Sequence, residues 1–197
     1  MTDGVDLWWI PLGAGAGGAL VRASGRIYEG LAAAAARRPR CALFHSALEV
    51  HLDGSTAAVE KTPVWTHQGE RGVVVEGPVG APFLGRSRLF RYEVRCWWGG
   101  SIPDRASAVG GPQRVTEDPE VARRLVELIP GFPPLTWGRD EQRTGDMWNS
   151  NSLVSWLLAR TGHDLAVITP PPGARAPGWD AGIVAARRER PSADPGG

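Results

Sequence analysis

The stretch CALFHSALEVHLDGSTAAVEKT, residues 41–62, restricts the fold more than any other part of this 197-residue chain. Asp53-Gly54 is a strong two-residue hairpin signal, because the turn that suits twisted strands needs positive φ at both central positions. The incoming strand alternates. Phe44, Leu48, Val50 and Leu52 fall on one face, and His45, Ala47, Glu49 and His51 on the other. A two-residue turn sets Leu52 opposite Ser55, hence Ala47 opposite Glu60 and Thr62 opposite His45. Glu60 then shares the face of His45, diagonal to it at roughly 7–8 Å and within reach of a long side chain. A three-residue turn would break that relation.

Further strands are predicted in VDLWWIPLG, ended by Pro11 and the GAGAGG run, in GVVVEG, and in FRYEVRCWW, where Phe90, Tyr92, Val94 and Cys96 alternate with charged residues. A helix is expected after Ser24, with Ile27, Tyr28 and Leu31 at helical spacing. A second follows Asp118 as cap and Pro119 in the first turn, with Val121, Leu125 and Leu128 as its stripe and Pro130-Gly131 as its stop. A third opens at the Asn-Ser run of residues 149–152, carries Leu153, Val154, Leu157 and Leu158 on one side, and ends at Gly162. DLAVITP is expected as a last strand. GARAPGWDAG carries no helix or strand signal and reads as a loop. The expected fold is α+β: one domain over residues 1–185, a small antiparallel sheet packed against helices, and a polar tail over 186–197.

Apolar residues make up 42% of the chain and charged residues 22%, as in soluble globular domains. A net charge of +1 offers no electrostatic case for nucleic acid or an anionic membrane as partner. The acidic start MTDGVD is not a secretion signal and no segment is apolar enough to span a bilayer, so a cytoplasmic location is expected. Cys41 and Cys96 form no metal-type spacing and read as two buried thiols. Gly13, Gly15 and Gly18 fit GxGxxG. However, no acidic residue follows at the distance a ribose needs, and no Lys-Ser/Thr pair accompanies them, so the run reads as a turn. Neither a metal nor a cofactor is implied.

Chemistry concentrates at MWNSNSLVSWLLARTG, residues 147–162. Asn and Ser satisfy the free amides of a first helical turn. The same amides and the helix dipole can also stabilise an oxyanion or an activated nucleophile. A serine there needs a base. His45, oriented by Glu60, is the candidate, because a neighbouring carboxylate aligns the imidazole and raises its basicity.

LFHSALEV followed about a hundred residues later by WNSNSLVSWLLARTG resembles the circularly permuted papain-like fold. That group includes lecithin retinol acyltransferase-type enzymes, PPPDE/desumoylating isopeptidases and permuted relatives of NlpC-type peptidases. In it a strand His comes first and an Asn-Cys pair opening a helix comes late. The resemblance aligns His45 with the catalytic His and Ser150 with the nucleophilic Cys, so Ser replaces Cys here. It implies a hydrolase or acyltransferase acting on an amide, ester or thioester. Ser150 would be its nucleophile and His45 its base; the family's third polar residue varies, and Glu60 as orienter comes from the strand register. Oxyanion donors would lie around Asn149 and Asn151, and Trp148, Trp97 and Trp98 would line an acyl or aromatic pocket. Asp180, beside Trp179, is a rival polar residue for the cleft. The alternative is a catalytically inactive descendant that binds a small molecule or peptide in the same cleft.

Overall fold

A computed structural model describes residues 2–14, 28–30, 32–64 and 72–189. The Asp53-Gly54 turn forms as expected, with φ of 50° and 76°, and joins β2 (Ala42–Leu52) to β3 (Ser55–Pro63). Their register runs from Leu52 opposite Ser55 to Leu48 opposite Val59, as a two-residue turn requires. Around this hairpin stand β1 (Gly4–Pro11), β4 (Val73–Pro78), β5 (Arg91–Trp98) and β6 (Gln113–Thr116). The antiparallel order is β4-β5-β3-β2-β1-β6, and the two-residue β7 (Ala174–Arg175) adds a parallel pairing at the start of β2.

Alternation along these strands separates two faces. Leu48, Val50, Val59 and Val94 form the main core with α1 (Pro119–Leu128), α2 (Ser150–Arg160) and α3 (Trp179–Arg188). The opposite face carries Ile10, Ala47 and Ala58, and Ile102 from the connection between β5 and β6 packs on them. Polar groups on that face tie four strands together. His51 Nε2 lies 3.0 Å from Asp6 Oδ2, His51 Nδ1 3.0 Å from Thr56 Oγ1, and Arg114 Nε 3.1 Å from Asp6 Oδ1.

Asp118 caps α1, its side chain accepting from Glu120 N at 2.8 Å. The buried stripe is Ala122, Leu125 and Ile129; Val121 and Leu128 flank it half-exposed, which shifts the expected stripe by one residue. DLAVITP is not a strand: Ile168 enters the core while Val167 is 71% exposed, so the segment seats a connection and extends no sheet. GARAPGWDAG, expected as a loop, supplies β7 and the start of α3. Gly178 (φ 91°) stands at the N-cap of α3 without a side-chain cap, so no Ser, Thr, Asp or Asn marks the start. Helix α3 continues through Arg188, which moves the expected domain end beyond 185. Residues 190–197 lie outside the described residues, as do Ser24, Ile27, Leu31 and most of the GAGAGG run. Residues 28–30 and 32–35 are helical. The expected buried thiols are both half-exposed.

Helices α2 and α3 run parallel, with Ser152 and Ser155 facing Gly178–Gly182 at one end and Arg160 paired with Glu189 at the other. Gly182 makes this approach possible. A Cβ there would come within 2.1 Å of Ser155 Oγ and 2.2 Å of the Ser152 carbonyl oxygen. Helix propensity alone favours alanine over glycine by about 1 kcal/mol. The backbone carbonyl cannot yield, so overpacking of about 1–3 kcal/mol decides the sign. Gly182→Ala is therefore expected to lower the midpoint of denaturant unfolding; a raised midpoint would refute the close contact.

Candidate functional site

The N-terminus of α2 is buried, and its polar side chains are committed to the fold. Asn149 is the N-cap: its Oδ1 accepts from Asn151 N at 2.8 Å, and its Nδ2 donates to the Pro177 carbonyl at 2.7 Å. Ser152 completes a capping box by accepting from Asn149 N at 3.0 Å, and its hydroxyl donates to the Gly178 carbonyl at 2.8 Å. Asn151 does the most. Its Nδ2 donates to the carbonyls of Phe44 (3.0 Å) and Pro177 (2.7 Å), and its Oδ1 accepts from Ser46 Oγ at 2.7 Å. Ser150 is buried, and its hydroxyl makes no hydrogen bond among the described residues.

The expected dyad is not joined. No hydrogen bond links Ser150 to His45 among the described residues, and the β2 residue that reaches α2 is Ser46. Strand alternation puts His45 with Ala47 and Glu49 on the sheet face opposite α2. Burial pushes its imidazole down to about 4, with Asp104 pulling weakly the other way. An imidazole there is neutral at pH 7 and a weaker base than an ordinary histidine. Glu60 does share the His45 face, but it lies opposite Arg95 on β5, with Arg95 Nη1 3.5 Å from its carboxylate. The Asn151 amide, expected as an oxyanion donor, already bonds the Asn149 side chain.

The expected tryptophan wall is dispersed. Trp148 is core, stacked on Phe132 at 4.8 Å. Trp97 lies opposite Ala58 on the His45 face, and Trp98 is 46% exposed at the end of β5. Asp180, in the first turn of α3, lines a cavity of about 460 Å³. Trp179, Ile183 and Arg187 border it on one side, and His163 and Leu165 on the other. Burial lowers the His163 pKa. No cluster of His, Cys, Asp and Glu that could hold a metal occurs among the described residues.

One reactive group escaped sequence reasoning. Lys61, on the core face of β3, is 4% exposed, and its Nζ has no hydrogen-bond partner among the described residues. It sits 4.0 Å from the Tyr92 ring centroid, 5.0 Å from Trp137, 5.1 Å from Trp148 and 5.4 Å from Phe132. Its place in the alternation, on the same face as Val59, was the available signal; a lysine there reads as an edge charge until the 132–148 segment is folded over it. Desolvation holds its pKa well below the ordinary 10.5, against a smaller pull from Glu141.

Three outcomes follow from this geometry. Asn151→Ala strips partners from two buried carbonyls and a hydroxyl, and is expected to cost on the order of 3 kcal/mol. Ser150→Ala is expected to cost well below the ~1 kcal/mol of a lost cap; chemical denaturation of both variants checks the ranking. Desolvation lowers the Lys61 pKa in the folded chain below its ordinary value, so between the two values unfolding takes up a proton and stability rises with pH. Lys61→Met should therefore stabilise the protein by about 1–3 kcal/mol near neutrality. The gain should shrink as pH approaches the ordinary lysine value, as thermal melts from pH 7 to 10 would show. No family model matches the chain, and no curated protein or solved structure matches it significantly.

Proposed function

We propose that the chain is a non-catalytic ligand-binding domain of the circularly permuted papain-like type, which takes a small molecule or peptide. The observation that carries this reading is the separation of the two aligned residues. Ser150 and His45 share no hydrogen bond, and strand alternation turns them to opposite sides of the sheet. A nucleophilic serine depends on its base, so a hydrolase or acyltransferase working through Ser150 loses its activation. The Ser-for-Cys replacement and the Asn-Ser run agree with a motif kept for capping after its chemistry was lost. A ligand would have the half-open depression of about 460 Å³ beside α3 as its place to bind. Trp179 and Ile183 offer apolar surface there, and Asp180 offers a polar anchor.

A second reading has one specific observation in its favour. Asp6, His51 and Thr56 are linked carboxylate to imidazole to hydroxyl, the connectivity of a charge relay. Thr56 is half-exposed and would serve as the nucleophile of a hydrolase.

Incubation with a fluorophosphonate probe, followed by peptide mass mapping, separates these readings. No adduct is expected. An adduct on Ser150 that disappears in His45→Ala would restore the acyl-enzyme mechanism. An adduct on Thr56 that disappears in His51→Ala would establish the second reading.

A further inference from the structure

Among the described residues, the connection between β4 and β5 carries the largest exposed apolar side chains outside the strands. It consists of two 3-10 turns, Pro82–Arg86 and Arg88–Phe90. Phe83 is 70% exposed, Leu89 66% and Phe90 42%. From Gly77 to Tyr92 the sequence holds Arg86, Arg88 and Arg91 and no acidic residue. Arg91 is engaged, donating to the Gly85 carbonyl at 2.6 Å and lying 3.4 Å from Glu76. Arg86 and Arg88 are exposed and have no ion-pair partner among the described residues.

This tip is held in place. Val79 N donates to the Phe90 carbonyl at 2.8 Å, closing the base of the connection, and Gly80 N donates to the Trp137 carbonyl at 2.9 Å. Its position beside β4, the edge strand, leaves it at one end of the sheet. The outcome is a hydrogen-bonded tip on which the exposed Arg86 and Arg88 lie between the apolar pairs Phe83-Leu84 and Leu89-Phe90.

We infer that this projection docks the protein on an anionic phospholipid bilayer, with Phe83 and Leu89 entering the headgroup–acyl boundary and Arg86 and Arg88 facing the lipid anions. Side chains exposed by two thirds or more suit a soft, deformable partner. Interfacial anchors combine such apolar groups with flanking cations. Other occupants fit less well. A second copy meeting the same face about a two-fold axis would set Arg86 and Arg88 against their own equivalents. A stable protein interface needs roughly 800 Å² per partner, more than three side chains on a tip provide. Nucleic acid calls for a broad basic surface, whereas this connection offers two exposed arginines, Arg86 and Arg88. The net charge of +1 for the whole chain conceals this local segregation of charge.

The test is sedimentation with phosphatidylserine/phosphatidylcholine vesicles and, in parallel, with pure phosphatidylcholine vesicles. The expected result is binding to the anionic vesicles that falls as salt is raised. Binding should weaken at least ~10-fold in Phe83→Ser/Leu89→Ser, and likewise in Arg86→Glu/Arg88→Glu, with both variants folded by circular dichroism. No sedimentation with anionic vesicles, or binding that neither variant weakens, overturns the inference. A dimer in light scattering that Phe83→Ser/Leu89→Ser disperses would also overturn it, by assigning the face to a second copy.

Discussion

The Asn151 side chain is the contact on which the arrangement of the molecule depends. From the first turn of α2 it bonds the Phe44 carbonyl and Ser46 hydroxyl of β2 and the Pro177 carbonyl ahead of α3. One amide thus sets the sheet, the central helix and the last helix relative to one another. Buried polar groups are tolerated only when satisfied, and a satisfied network admits one geometry where an apolar contact admits several. Asn149 and Ser152 extend the network to Pro177 and Gly178, and Ser155 extends it to Trp179. Gly178 and Gly182 supply the space for it, since a side chain on either would collide with Asn149 or with Ser152 and Ser155.

This use of the Asn-Ser run also explains why the aligned nucleophile is idle. The amide that would stabilise an oxyanion bonds the Asn149 side chain, and the face of α2 that meets β2 meets Ser46. His45 belongs to the other side of the sheet, where the connection between β5 and β6 closes over Ala47 and Ala58. There Glu49 accepts from Trp8 and Arg105, and Arg95 bonds Glu93 and faces Glu60, so charge on that face is largely neutralised locally. The core face carries the opposite anomaly in Lys61, an amine near four rings with no hydrogen-bond acceptor among the described residues. A group that costs stability in this way marks a place where fold and stability were not optimised together.

Much of the architecture was legible because its signals are local. The hairpin register, the caps of α1 and α2, and the alternation in β5 each follow from a few neighbouring residues. Where the reading failed, the signal was non-local or missing. Four residues with a single apolar side chain, Val115, are too short to announce β6, which exists because β1 offers an unpaired edge. Helix α3 begins at a glycine and is stabilised by packing on α2. DLAVITP has the composition of a strand, but Ile168 finds its burial in the core while its neighbours remain outside.

The sequence by itself determined that His45 and Glu60 share one face of the β2–β3 hairpin, that Asn149 to Ser152 begin a helix, and that near-neutral overall charge coexists with a cation-only segment around Phe83. Only the tertiary structure decided which sheet face the helix covers. A strand has two faces of opposite residue parity, and periodicity says which residues travel together but not which set meets a helix over ninety residues away. The choice of the even face, through Ser46 and Asn151, separates Ser150 from His45. The same tertiary level left Phe83 and Leu89 exposed on the connection between β4 and β5.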